Sequence, residues 1–302
     1  MSYVCPTGAT RNPRTGHSIN APNNKLNYIS GVLTPQDATI DTQANALLLS
    51  YWNSKFKAAV PNRWYPLPVC SDYAAKNQEN IEIPSPYTGN KLVRLGKNGI
   101  QFILDVNPIE STELMKLNGK AYSFFGYDPN GNIEGICTDG TILKPRKCLS
   151  VNVYVKEPEK DVPQYTYIDI IFAETSLYND YRRVFNPTTE AIVDWNPADS
   201  FDGVHAVVLS VVGNWSATGG VVRAVFENSG EPCTVLTAPD FYIAGKTIST
   251  AVPVVGGDGG SYTIASTGLV TLEEIDLQPT ATIACTTLKL ESTGGVPFTI
   301  PL

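Results

Sequence analysis

Residues 149–172, which read LSVNVYV, KEPEKDVPQ and YTYIDIIF in succession, decide the fold of this chain. Both outer runs alternate, and β-branched and aromatic residues at a period of two are typical of strands in a half-buried sheet. The first run turns one row of side chains to the same side: Leu149, Val151, Val153 and Val155. The second run does the same with Thr166, Ile168, Ile170 and Phe172. The stretch therefore predicts a long β-hairpin.

The segment between the two runs, residues 156–164, carries two prolines and five charges. This composition suits a loop that projects from the sheet, either into solvent or toward a partner. Both readings are equally compatible with the residues alone. The hairpin therefore predicts an exposed charged loop and leaves its role open.

The composition of the whole chain favours a mainly β fold. Only 17% of the 302 residues are charged, and 24 glycines with 22 prolines favour many short strands joined by turns. This length is enough for one large or two ordinary domains with real cores. The net charge of −7 argues against specific nucleic-acid binding, because a nucleic-acid groove needs clustered lysine and arginine.

The cysteines and the N-terminus bear on where the protein is made. The six cysteines are far apart and include no CxxC pair, so no metal-ligand spacing is present. Disulfides between Cys137 and Cys148, or between Cys233 and Cys285, are conceivable. Free buried thiols are the expectation, because no export signal is visible. The longest nearly apolar run, residues 204–212, is too short to span a bilayer, so no membrane partner is predicted.

Three segments follow one another in the chain. Residues 1–33 have little periodicity and are predicted to form an extended arm. Residues 34–198 are predicted to form a β-rich assembly domain with one main helix at 41–60, whose apolar stripe includes Leu48, Trp52 and Phe56. Residues 199–302 carry short strand runs with turn signals between them, which predict an immunoglobulin-like β-sandwich.

Within the assembly domain, smaller elements are predicted from local patterns. Strands at 91–95 and 100–106 are expected to be joined by a turn at 96–99. Further strands are predicted at 121–127, 133–138 and 142–143, and short helices at 111–117 and 176–184.

The sequence contains few residues in the patterns of catalytic or metal-binding sites, so no enzyme, metal or cofactor is predicted. Asp128, Asn130, Asn132 and Glu134 faintly resemble a calcium loop, but the expected glycine and the final glutamate are missing, and a hairpin turn explains them. The two histidines, His17 and His205, have no nucleophile signature nearby. The pair Asp169 and Glu174 could in principle serve a glycosidase, although scattered carboxylates are ordinary in an acidic protein. The four tryptophans, spread through the chain, suggest no single sugar platform.

The layout of arm, helix, charged-loop hairpin and appended sandwich resembles tail-tube proteins of tailed bacteriophages that carry a C-terminal immunoglobulin-like domain. The resemblance rests on the sheet runs at 122–138 and 149–172, the loop at 156–164 and the helix at 41–60. It implies a virion structural protein, made in the host cytoplasm, whose sheet joins neighbouring sheets into a homo-oligomeric ring. It also implies contacts from the arm and the loop to the ring above or below.

Under this resemblance, the candidate subunit-interface residues lie in the loop and at the start of the second strand: Lys156, Glu157, Glu159, Lys160, Asp161, Tyr165 and Tyr167. Deletion of the loop is expected to leave a folded subunit that assembles poorly. The alternatives are a capsid, collar or decoration protein, a module whose sandwich binds glycan or a host surface, and a polysaccharide hydrolase.

Overall fold

The structure, a computed structural model, describes residues 27–79, 81–85, 89–94, 96–137, 142–158, 164–173, 182–187, 195–257, 259–280 and 288–301. The chain divides into two compact units. The first comprises Met1–Phe56 with Pro61–Phe201, and the second Lys57–Val60 with Asp202–Leu302. Both units are built mainly of strands, as the composition predicts.

The first unit contains a nine-stranded sheet that curls into a half-barrel. Its strands are β1 (Ser30–Pro35), β2 (Tyr65–Pro66), β3 (Asp72–Ala75), β6 (Gly99–Leu104), β7 (Tyr122–Tyr127), β8 (Ile133–Ile136), β9 (Arg146–Val155), β10 (Thr166–Phe172) and β11 (Arg182–Phe185). Along the main path they follow the order β11, β8, β7, β9, β10, β6 and β3, while β1 pairs with β7 and with β2. A separate hairpin joins β4 (Ile81–Ser85) to β5 (Gly89–Arg94).

The paired strands β1 and β7 form a wall between two hydrophobic cores. Val32 and Phe125 face one core, while Leu33 and Phe124 face the other. Every residue of β7 is buried, as expected of a strand that is covered on both faces. The strands approach so closely that a Cβ on Gly31 would lie 2.1 Å from the Phe124 ring, which explains a glycine at this position.

The hairpin predicted from the sequence is present, because β9 and β10 pair antiparallel along their length. The buried row of β10 is as predicted, and Val151 and Val153 of β9 are also buried. Leu149 departs from the prediction, with 55% of its surface exposed. The register shifts between Ile171 and Phe172, so that Cys148 opposes Phe172. This bulge turns Cys148 inward and Leu149 outward.

The predicted helix at 41–60 is shorter than expected and divided in two. Its parts are α1 (Gln43–Ala46) and α2 (Leu49–Phe56). The Trp52 and Phe56 side chains are buried, as the stripe predicts, but Leu48 is 47% exposed because it lies at the break between the helices. Trp52 packs against four aromatic rings, and its indole N–H donates to the Ala46 carbonyl at 3.0 Å.

Several smaller predictions for the first unit need correction. The strands near 91–95 and 100–106 exist but do not pair with each other, since β5 pairs with β4 and β6 pairs with β3 and β10. Residues 30–33 lie in β1, so the predicted arm ends earlier than residue 33; residues 1–26 lie outside the described residues. The short helix near residue 111 is α3 (Pro108–Met115), which Asn107 caps. Arg182–Phe185 is a strand, so the helix predicted at 176–184 does not cover its last three residues; residues 176–181 lie outside the described residues.

The second unit contains two sheets that share one core. Their strands are β12 (His205–Ser216), β13 (Gly219–Phe226), β14 (Phe241–Ile243), β15 (Ile248–Pro253), β16 (Ser261–Ser266), β17 (Glu274–Leu277), β18 (Leu290–Ser292) and β19 (Val296–Pro297). The larger sheet has the order β15, β16, β13, β12 and β18, and the smaller has the order β14, β17 and β19. Side chains of both sheets meet around Trp215, which stacks on Phe298 at 4.3 Å between ring centroids. The immunoglobulin-like strand order stays a prediction.

The cysteines differ in part from the expectation of free thiols. Cys148 and Cys233 are buried and form no disulfide, which excludes both conceivable disulfides. Cys137, by contrast, is disulfide-bonded. Burial raises the pKa of the Cys148 thiol to about 12, although the charge of Arg146 lowers it, so Cys148 stays protonated and unreactive at neutral pH. Cys5 and Cys285 lie outside the described residues.

Candidate functional site: the outer face of the central hairpin

The strands β3, β6, β10 and β9 lie side by side. One of their faces packs on the core of the first unit that contains Leu33 and Phe124. The side chains that alternate with the buried ones form the opposite face, which we call the outer face. Register places Tyr167 beside Ile103 and Tyr154, and Asp169 beside Gln101 and Asn152. Most of these side chains are half-buried or exposed, so the outer face is open to a partner.

Two tyrosines form the centre of the outer face. The rings of Tyr154 and Tyr167 stack with a centroid separation of 5.5 Å and an angle of 14°. The Lys156 ammonium, at the base of the loop, lies 4.4 Å from the centroid of the Tyr167 ring. Such a cation–π contact attracts the lysine to the ring face. The first residue of the loop therefore contacts the aromatic pair.

A polar network continues the outer face toward β3. Asp169 accepts hydrogen bonds from Lys76 and, at 2.7 Å, from the side-chain amide of Gln101. Gln101 also donates to the Tyr154 hydroxyl at 3.0 Å. Partial burial lowers the pKa of Lys76, but the hydrogen bond and charge of Asp169 outweigh this effect and raise that pKa above its ordinary value. Lys76 is therefore a stable cation, and the network fixes these side chains in one arrangement.

Only part of the predicted interface falls within the described residues. Lys156 and Glu157 are exposed, and Tyr165 and Tyr167 are half-buried, so these four lie together at the loop end of the hairpin. Glu159, Lys160 and Asp161 lie outside the described residues.

Sequence reasoning did not include Tyr154, Gln101 or Lys76 among the candidate interface residues. The signal for Tyr154 was present, because it alternates with the buried valines of the same strand. Gln101 and Lys76 could not have been found in this way. Their place depends on which strands pair across the sheet.

The other candidate sites take structural roles. Asp128 is buried, and its carboxylate accepts from the backbone N–H groups of Asn130 and Asn132, both at 2.9 Å. This arrangement is the predicted hairpin turn between β7 and β8. Glu134 is 4% exposed and accepts from Arg182 and from the Tyr28 hydroxyl. Among the described residues no cluster of histidine, cysteine and carboxylate side chains could hold a metal ion.

The structure gives little support to the two alternatives of a glycan-binding module and a hydrolase. All four tryptophans are buried, so none of them offers a ring to a sugar: Trp52, Trp64, Trp195 and Trp215. His205 bonds through Nε2 to Asp202 at 2.8 Å. Burial raises the pKa of Asp202, but its contacts with His205 and the charge of Lys289 together bring that pKa below its ordinary value. His17 and Glu174 lie outside the described residues.

No protein-family model matches the chain, and no curated protein matches it. Within the part of the chain that the structure describes, no helix is long and apolar enough to cross a membrane.

Proposed function

We propose that this protein is a structural subunit of a bacteriophage particle, namely a tail-tube protein that assembles into rings through the outer face and the loop of the central hairpin. The observation that carries the proposal is the outer face itself. Its stacked tyrosines and its fixed polar network expose aromatic and paired charged groups on a rigid sheet. Aromatic side chains with positioned polar groups are typical of protein interfaces. The layout-level resemblance to tail-tube proteins supplies the class of partner, which is further copies of the same chain.

The role of the loop can be tested by replacing residues 156–165, which are the loop and Tyr165, with Asn-Gly. The paired residues Val155 and Thr166 would then be joined by a short turn, which preserves the β9–β10 register. We expect a folded subunit whose assembly requires at least about tenfold more protein, because contacts of the loop are lost. Light scattering over a concentration series measures this shift.

A second variant keeps the loop and removes two of its charges, with Lys156→Ala and Glu157→Ala in the full chain, and should assemble at a concentration between those of the unchanged and the shortened proteins. Circular dichroism and the urea midpoint of each variant must match those of the unchanged protein. Assembly of the shortened chain at the unchanged concentration would sink the role of the loop.

A further inference from the structure

The layer formed by β9, β10, β6 and β3 differs at its two sides in how the outward backbone N–H and C=O groups are satisfied. On the β9 side of this layer, β7 pairs with the start of β9, and farther along the Asn118 side chain accepts from the Val153 N–H at 2.6 Å and donates to the Val153 carbonyl at 2.8 Å. Asn118 thus makes the two hydrogen bonds that a further strand would make there. Sheets protect their edges in this way against pairing with another chain.

At the β3 edge the Tyr73 N–H donates to the Asp72 carboxylate at 2.7 Å, but within the described residues no side chain covers the N–H of Ala75. Lys76 and Gln78 donate inward to the carbonyls of Gly99 and Lys97, both at 2.8 Å. Because N–H groups alternate along an antiparallel strand, those of Ala75 and Asn77 point outward. Asp72, Ala74 and Ala75 are exposed in the single chain, and no proline interrupts this edge. The β3 edge can therefore accept an extended segment.

Asn27 and Tyr28, which directly follow the N-terminal segment of residues 1–26, lie beside this edge. Asn27 accepts a hydrogen bond from the Tyr73 hydroxyl of β3 at 3.2 Å, and the Tyr28 ring is 6.4 Å from the Tyr73 ring. Residues 1–26 precede this point. Fully extended, 26 residues would reach about 85 Å, which is enough to reach a neighbouring molecule.

The charges of the segment and of the edge are complementary. Residues 1–26 contain Arg11, Arg14 and Lys25 and no aspartate or glutamate. Exposed Asp72 and Glu79 flank the β3 edge. Among the described residues around this edge, the three carboxylates of Asp72, Glu79 and Asp169 outnumber the two ammonium groups of Lys76 and Lys97. A basic segment is thus attracted to this edge.

We infer that residues 1–26 of one copy bind along the β3 edge of a second copy, with a backbone hydrogen bond to the outward N–H of Ala75. This inference rests on the proposed function, because it names the surface through which neighbouring subunits are joined. The single chain leaves the edge exposed, and the sealed β9 edge leaves β3 as the side of this layer that can receive the segment.

The test uses three full-length variants. Ala75→Pro removes the outward N–H without touching the β3–β6 ladder, and proline is tolerated at such edge positions. Ala75→Ser is its matched control and keeps the N–H. Arg11→Glu, Arg14→Glu and Lys25→Glu together reverse the charge of the segment.

Sedimentation velocity over a concentration series gives the readout. The proline variant and the charge-reversed variant should each need at least about tenfold more protein to assemble, while Ala75→Ser assembles normally. An equimolar mixture of the two defective variants should form a one-to-one dimer, because one supplies an intact segment and the other an intact edge. Adding Asp72→Lys and Glu79→Lys to the charge-reversed chain should restore assembly.

Normal assembly by either defective variant would overturn the inference while leaving the proposed function intact. Failure of the two variants to dimerise on mixing, with each folded by circular dichroism, would overturn the pairing between copies in favour of binding within one chain. If the unchanged protein never assembles, both the inference and the proposed function fail.

Discussion

Replacing Ile170 with aspartate should destabilise the first unit by about 4 kcal/mol or more, which is a large part of the roughly 5–15 kcal/mol that stabilises a typical domain. The Ile170 side chain is fully buried and lies in register with Ile100 on β6 and Val151 on β9. A carboxylate there would lose its hydration among the apolar side chains of that core. Urea denaturation followed by tryptophan fluorescence measures the loss.

The neighbouring residue provides the control for this substitution. Ile171 lies on the outer face, where it is half-exposed and opposite Gly99 and Ser150. The same change to aspartate should cost only about 1 kcal/mol there, since the carboxylate remains hydrated. Equal losses at the two positions would contradict the assignment of the two faces of β10.

Replacing Trp52 with alanine should lower the free energy of unfolding by about 3–5 kcal/mol, through lost burial and the cavity that is left. The indole is fully buried against Phe56, Trp64, Phe125 and Phe201, with ring centroids 4.8–6.4 Å away. Its hydrogen bond to the Ala46 carbonyl, which joins α2 to α1, is lost as well.

Leu48→Ala is the comparison, because Leu48 belongs to the same predicted stripe yet is 47% exposed. Its replacement should change the stability by less than about 1 kcal/mol. A loss at Leu48 as large as that at Trp52 would mean that the unbroken helix predicted from the sequence is closer to the truth than two short helices.

The sequence predicted most reliably where a local pattern is strong and one face is buried. The alternation at β9 and β10 was sufficient to predict the hairpin and the buried row of β10. The same reasoning misplaced Leu149, because a bulge shifts the period and no local signal marks it. It also joined β5 to β6, since pairing between distant strands is decided by tertiary contacts that a local pattern does not contain.

The candidate site shows the same division. Tyr167 and Lys156 were found because they belong to the hairpin itself. Gln101 and Lys76 complete the outer face from other strands, and Asn118, from the segment after α3, seals an edge. Their roles depend on register and on long-range packing. These residues are polar and isolated in the sequence, where nothing distinguishes them from ordinary surface residues.

The central claim is that this chain assembles with itself, and negative-stain imaging with light scattering of the purified full-length protein across concentrations tests it most directly. The account predicts rings or stacked tubes whose population grows with protein concentration. A monodisperse monomer at every concentration, with the circular dichroism of a folded β protein, would contradict it.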